Sequence, residues 1–313
     1  MRRDTAPGSL FRLVALSILL FGYVGCGQKA AKEDVADLLA AGWHWFRINE
    51  YAYSIKAFEE ALEAAGQDPE AQAEACYGLG SAWDFRRPGD FRDKALEFYN
   101  RAVDAAPASD AAAWSLLAVA RMKHLATVGL ERDQKNTPEV RAAYQEVIDR
   151  FPDHLTAEEA FIYLQSCRVV TLKPEELGKA AVALEEFVRT HPDSLFKSTA
   201  YHLLAECYMM FYRHDDRIRA KRMALELAEE DKVTPMEMNK ALFTWLIAVY
   251  AEFDAGDFEI AREYYRRLID EYPTDNKVYM AKLALKRLDE VEARIRRELL
   301  DQGLEADAET PRD

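Results

Sequence analysis

From Val278 onward, apolar residues fall at Val278, Ala281, Leu285, Leu288, Val291, Ile295 and Leu299. Intervals of three and four put one apolar stripe along a helix and leave its other faces polar. Strict apolar–polar alternation, the mark of a half-buried strand, is nearly absent from the chain, so the pattern predicts an all-α protein. A second regularity sits upstream. The phrase Ala255-Gly256-Asp257-Phe258-Glu259-Ile260-Ala261 leads to Tyr265 and then Pro273, with Tyr265 eight residues before the proline and Ala261 twelve. Tyr144 stands in the same relation to Pro152, and Tyr99 and Ala95 to Pro107. A small residue is needed where two helices cross closely, which places Ala95 and Ala261 at such crossings, and an aromatic fills the gap beside each. The proline follows the second helix because it cannot continue it. Prolines 107, 152, 192 and 273 stand about one, one and two repeat lengths apart.

The units follow from that frame. The first carries Leu38, Gly42 and Trp45 on one helix and Ser54, Phe58 and Ala61 on the next. The second has Leu79-Gly80-x-x-Trp83, a turn at 86–90, then Ala95, Tyr99 and Ala102. The third has Trp114, Leu117 and Ala118, an insertion from Thr127 to Thr137, then Val140, Tyr144 and Val147. The fourth runs from near Thr156 to Pro192, its second helix opened by Lys173-Pro174-Glu175. The fifth has Leu204-Ala205-x-x-Tyr208 and a basic second helix from about Ile218 to Ala228, and the sixth has Trp245. The expected organisation is a leader over 1–25, a tether over 26–34, about six units over 35–274, a capping helix over 275–300 and an acidic tail over 301–313. A terminal unit needs one face covered and one wet, which the last amphipathic helix supplies.

These residues resemble the tetratricopeptide repeat, W-x2-L-G-x2-Y…A-x3-F…P, over nearly all of the chain after the leader. The resemblance implies a right-handed superhelical solenoid that holds protein partners on a concave face lined by the first helices, chiefly through family positions two, five, nine and twelve. Carried onto this chain, those positions are Trp43 and Phe46, Ser81 and Asp84, Val119 and Met122, then His202, Glu206 and Met209, and finally Phe243, Tyr250 and Phe253. Aromatic and Met side chains there suit an apolar or aromatic-bearing peptide held with a few polar contacts. The alternative is that neighbouring helices bury them.

Arg2, Arg3 and Arg12 flank an apolar run of about thirteen residues that ends at Gly25-Cys26. A bilayer span needs roughly twenty residues, so the run suits an export signal. Tyr23-Val24-Gly25-Cys26 resembles a bacterial lipoprotein processing site, in which Cys26 becomes the lipidated N-terminus; the alternatives are an uncleaved anchor or ordinary cleavage nearby. Gly27 in place of Asp implies the outer membrane by the enterobacterial sorting rule. Phe151-Pro152-Asp153, His191-Pro192-Asp193 and Tyr272-Pro273-Thr274-Asp275 resemble the joints of envelope tetratricopeptide proteins of the BamD-like and YbgF-like kinds.

The net charge of −14 argues against nucleic acid and against broad attraction to anionic lipid. Arg217, Arg219, Lys221 and Arg222 form the one notable basic face, read either as a solvated helix side or as a docking patch for an acidic partner. Cys76, Cys167 and Cys207 lie in apolar stretches without metal-ligand spacing and read as buried thiols. His202-x-x-x-Glu206 puts two potential ligands on one helix face, short of the three or four a metal site needs. Arg213-His214-Asp215-Asp216 reads as a solvated turn. No nucleophile elbow, phosphate loop or catalytic triad order appears, and no cofactor is implied. The sequence therefore points to a non-enzymatic, lipid-anchored envelope scaffold, possible roles including outer-membrane protein assembly. The rival is an accessory subunit of cell-wall synthesis, division or hydrolysis.

Overall fold

The computed structural model describes residues 35–86, 88–125, 138–230 and 239–301. The leader, Cys26, the tether, the 127–137 insertion and the tail beyond Asp301 lie outside the described residues. Among those described, every regular element is helical. In chain order they are α1 (35–47), α2 (Tyr51–Ala64), α3 (Pro69–Phe85), α4 (Arg92–Ala105), α5 (Asp110–Leu125), α6 (Pro138–Arg150), α7 (Leu155–Val169), α8 (Pro174–Thr190), α9 (Lys197–Met210), α10 (His214–Glu230), α11 (Lys240–Tyr250), α12 (Phe258–Glu271) and α13 (Val278–Asp301). They form six helix–turn–helix pairs and a terminal helix. None is long and apolar enough to cross a membrane. The chain divides into two compact units, 1–160 and 161–313.

The joints work as the proline frame requires. Pro107, Pro152, Pro192 and Pro273 each lie two residues beyond the end of a second helix, after α4, α6, α8 and α12. The intervening residue still closes one last helical hydrogen bond, from Ala106, Phe151, His191 and Tyr272 to Ala102, Val147, Phe187 and Leu268. Helix starts are set by Pro69 and Pro174 in the first turns of α3 and α8, and by side-chain caps. Asp68, Asn239 and Asp257 accept from backbone N–H groups of α3, α11 and α12. The turn before α10 is tighter than the sequence implied. Tyr212 turns the chain at φ 54°, and His214 already opens α10, with Asp215 and Asp216 in the first turn where the helix dipole favours negative charge.

In the first unit, Phe58 is fully buried, and a Cβ on Gly42 would come within 2.5 Å of its ring. Gly78 is pressed against the same ring, and Gly80 lies against Tyr99. Glycine is required here by close approach, since any side chain would push the helices apart. Ser54 Oγ donates to the Gly42 carbonyl at 3.0 Å, so the small residue of α2 also ties it to α1. Tyr144, Leu184 and Tyr265 occupy the position eight before the proline in their repeats, all fully buried. Ala95 and Ala261 are buried just as completely. In the second unit, Ile247, Ala248, Ala261, Tyr264, Tyr265 and Leu268 join Ala281, Ala284 and Leu288 of α13 in one core cluster. The terminal helix thus covers the last repeat with one stripe and leaves Tyr279, Met280 and Leu283 exposed.

Candidate functional site

Helix α11 does not run cleanly into the turn before α12. At Ala251–Ala255 it widens into a π-turn, closed by Gly256 at φ 69° and by a 2.8 Å bond from the Asp257 amide to the Ala251 carbonyl. The extra residue turns Glu252 inward. Its carboxylate accepts from the Tyr265 hydroxyl at 2.7 Å and from both Nε and Nη2 of Arg287, at 2.9 and 2.5 Å. Burial and the Glu252 bond both push the Tyr265 phenol up. Phe253 is aimed outward and is 64% exposed, with Arg287 over its ring at 5.2 Å.

One turn earlier, Tyr250 is half-buried and the Arg217 guanidinium of α10 stacks on it at 3.4 Å. Arg217 also pairs with Asp254 at 2.5 Å. Lys221, a turn further along α10, is 0% exposed. Its ammonium lies 2.7 Å from both His202 Nδ1 and Glu206 Oε1 and 4.9 Å from the Phe243 ring. Burial, then the Lys221 charge, holds His202 well below the ordinary imidazole range. Burial likewise lowers the Lys221 pKa, opposed by Glu206. Burial raises the Glu206 carboxyl, but Lys221, His202 and Arg217 together outweigh it and lower it.

This arrangement corrects two expectations. Arg217 and Lys221 do not belong to a basic surface; they are buried counter-ions. Only Arg219, paired with Asp216, is exposed, while Arg222 lies part-buried over Tyr264. The His202–Glu206 pair holds a lysine, and among the described residues no three His, Cys, Asp or Glu side chains converge as a metal site would require. Phe243, Met122, Val119 and Ser81 are buried, so they cannot serve as open contact positions. Asp84 and Met209 are partly buried. Cys76, Cys167 and Cys207 are free and buried, and burial pushes the Cys207 thiol up to about 12.

The first unit presents a different face. Trp43 of α1, Glu70, Glu74 and Tyr77 of α3, and Asp110 and Trp114 of α5 line a cavity of about 570 Å³. Trp43 donates from Nε1 to Glu74 at 3.0 Å and lies 5.5 Å from Tyr77, ring to ring. Trp114 meets His154 edge-on at 5.7 Å, and His154 Nε2 lies 3.6 Å from Asp110. Phe46 does not line the cavity but packs edge-on against Trp43 and against the exposed Phe85, both at 5.7 Å. Sequence reasoning had named Trp43 and missed its neighbours. Glu74 and Tyr77 are positions two and five of the second repeat when Gly80 is position eight, so the frame already held the signal.

A tetratricopeptide-repeat model matches residues 242–285, which spans α11, the π-turn, α12 and the start of α13. Two of the solved structures that share the fold illustrate it. One is Pseudomonas aeruginosa pilF, with 14% identity and a TM-score of 0.54, covering 81% of this chain and 99% of that one. The other is PilW, described as a widely conserved type IV pilus biogenesis factor, with 19% identity and a TM-score of 0.50, covering 79% of this chain and 97% of that one. The fold is a TPR-like helical-repeat solenoid, and residues 242–285 carry the repeat motif. None of the curated proteins matches the chain. At these identities the likeness speaks to the fold alone.

Proposed function

We propose that this protein is a non-enzymatic scaffold of the bacterial envelope, anchored by lipid at Cys26 and facing the periplasm, that gathers protein partners on the first helices of its repeats. The observation that carries it is the groove of the first unit. Half-buried aromatic rings, the half-buried Glu74 and the exposed Glu70 and Asp110 line an open cavity formed by three successive first helices, which is what a peptide-holding face requires. The leader with Gly25-Cys26 supports the envelope anchor, and the fold shared with a pilus biogenesis factor suits a part in building an envelope assembly. Affinity capture from membranes, with the partners identified by mass spectrometry, tests the reading; recovery of no envelope protein above background would overturn it. The anchor has its own test. Cys26→Ser should release the protein into the soluble fraction, because each buried acyl CH₂ contributes about 0.8 kcal/mol of membrane binding. A serine variant that stays in the membrane removes the lipid anchor from the proposal.

A further inference from the structure

The second unit shows what its own aromatic and acidic first-helix residues take up. Lys221 lies against the Phe243 ring between Glu206 and His202, and Arg217 lies on Tyr250 beside Asp254. In both places a cation from α10 sits on an aromatic face with a carboxylate next to it. The first unit assembles the same ingredients, with Trp43, Tyr77 and Trp114 as the rings and Glu70, Glu74 and Asp110 as the carboxylates, around about 570 Å³ of open space. No lysine or arginine of the described residues is paired with Glu70, Glu74 or Asp110, and none lines the cavity. Helix α3 carries Glu70, Glu74 and Asp84 and no basic residue at all. Basic side chains near the rim have partners of their own: His154 lies beside Asp110, Arg150 donates to the Pro107 carbonyl and to Glu146, and Arg121 pairs with Glu159.

We propose that the groove between α1, α3 and α5 binds a lysine- or arginine-bearing segment of a partner protein. The cationic side chain lies among Trp43, Tyr77 and Trp114 and pairs with Glu70 and Glu74. This deepens the scaffold reading, on which it rests, by giving the partner a chemistry. It differs from the apolar or aromatic-bearing peptide expected from the sequence in resting on charge. Three rings around an ammonium or guanidinium supply cation–π attraction, and the flanking carboxylates supply charge that the site's own chain leaves unneutralised.

The test is fluorescence anisotropy with the full chain and a labelled twelve-residue Gly/Ser peptide carrying three Lys and one Arg, compared with its Gln counterpart. The basic peptide should bind about tenfold or more tightly than the neutral one and weaken as salt rises. Trp114→Ala leaves the net charge unchanged, so a loss of about tenfold in that variant separates the groove from general attraction to an acidic protein. Glu70→Gln with Glu74→Gln should lose as much at an unchanged melting temperature, and it decides the matter should Trp114→Ala not fold. Glu59→Gln with Glu63→Gln, on the outer face of α2, should keep the affinity. Equal binding of the two peptides, or equal losses from the groove and α2 variants, overturns the proposal. Partner capture keeps the two ideas apart. Envelope partners still recovered by the Glu70→Gln/Glu74→Gln variant at wild-type yield would sink the groove and spare the scaffold, whereas no capture by the wild type would sink the scaffold.

Discussion

The two units use one kind of chemistry to different ends. In residues 161–313 the aromatic and acidic side chains of the first helices are satisfied from within, by Lys221 and Arg217 reaching over from α10. In residues 1–160 the corresponding helices keep their rings and carboxylates around an open cavity. The difference lies in the second helices. Helix α10 carries four basic residues from Arg217 to Arg222. In α2 and α4, by contrast, Lys56 pairs along its own helix with Glu60, Arg101 with Glu97, and Lys94 lies over Trp83. A helical-repeat array can therefore spend a cation–aromatic contact on its own stability or leave the ring and carboxylate open. The residue classes, aromatic ring and carboxylate, are alike in the two units; what differs is the cation that α10 supplies and the exposure that follows.

Substitutions can break that contrast, and the largest effect belongs to Lys221. Lys221→Met should cost about 3 kcal/mol, because it strands the Glu206 carboxylate and leaves His202 without its partner. Urea denaturation should show the loss, and a change under about 0.5 kcal/mol would return Lys221 to the surface. Tyr250→Ala comes next, at about 2 kcal/mol, since it removes a half-buried ring from beneath a buried guanidinium. Tyr250, expected as a contact position for a partner, instead carries one of the protein's own cations. Protonation gives a third test. The His202 pKa is depressed in the folded state, so as pH falls the unfolded chain takes up the proton first. Stability from this group is complete above the ordinary imidazole range and is lost as pH drops through it, by up to about 1.4 kcal/mol per pH unit. His202→Gln should flatten the wild-type fall in melting temperature between pH 7 and pH 5; parallel curves would place the histidine in solvent. The smallest effects belong to exposed groups. Phe253→Ala in the second unit and Glu70→Gln in the first should each shift stability by under about 0.5 kcal/mol. A larger loss at Glu70 would show that the first unit also spends its carboxylates internally.

The helices were legible from apolar spacing. The close crossings were legible from Gly42, Gly80, Ala95 and Ala261, and the joints from Pro107, Pro152, Pro192 and Pro273. Trp43 was legible as a groove residue from its register, and Glu74 and Tyr77 lay in that frame unread. Arg217 and Lys221 were misread because clustered charge on a helix usually means a solvated side. Phe253 and Tyr250 were given the same role, yet the π-turn that begins at Ala251 turns Phe253 out and carries Glu252 inward.

What the sequence determined alone is local: helical period, the absence of a Cβ where a ring must pass, the residue at which proline stops a helix. These follow from the covalent chain and its dihedral limits, so they hold wherever the helices are placed. Only the tertiary structure decided which charges are buried. Whether a lysine is a surface cation or a buried counter-ion depends on how near the next helices stand and whether water reaches it, and neither distance nor solvation is written in the spacing of residues along one helix.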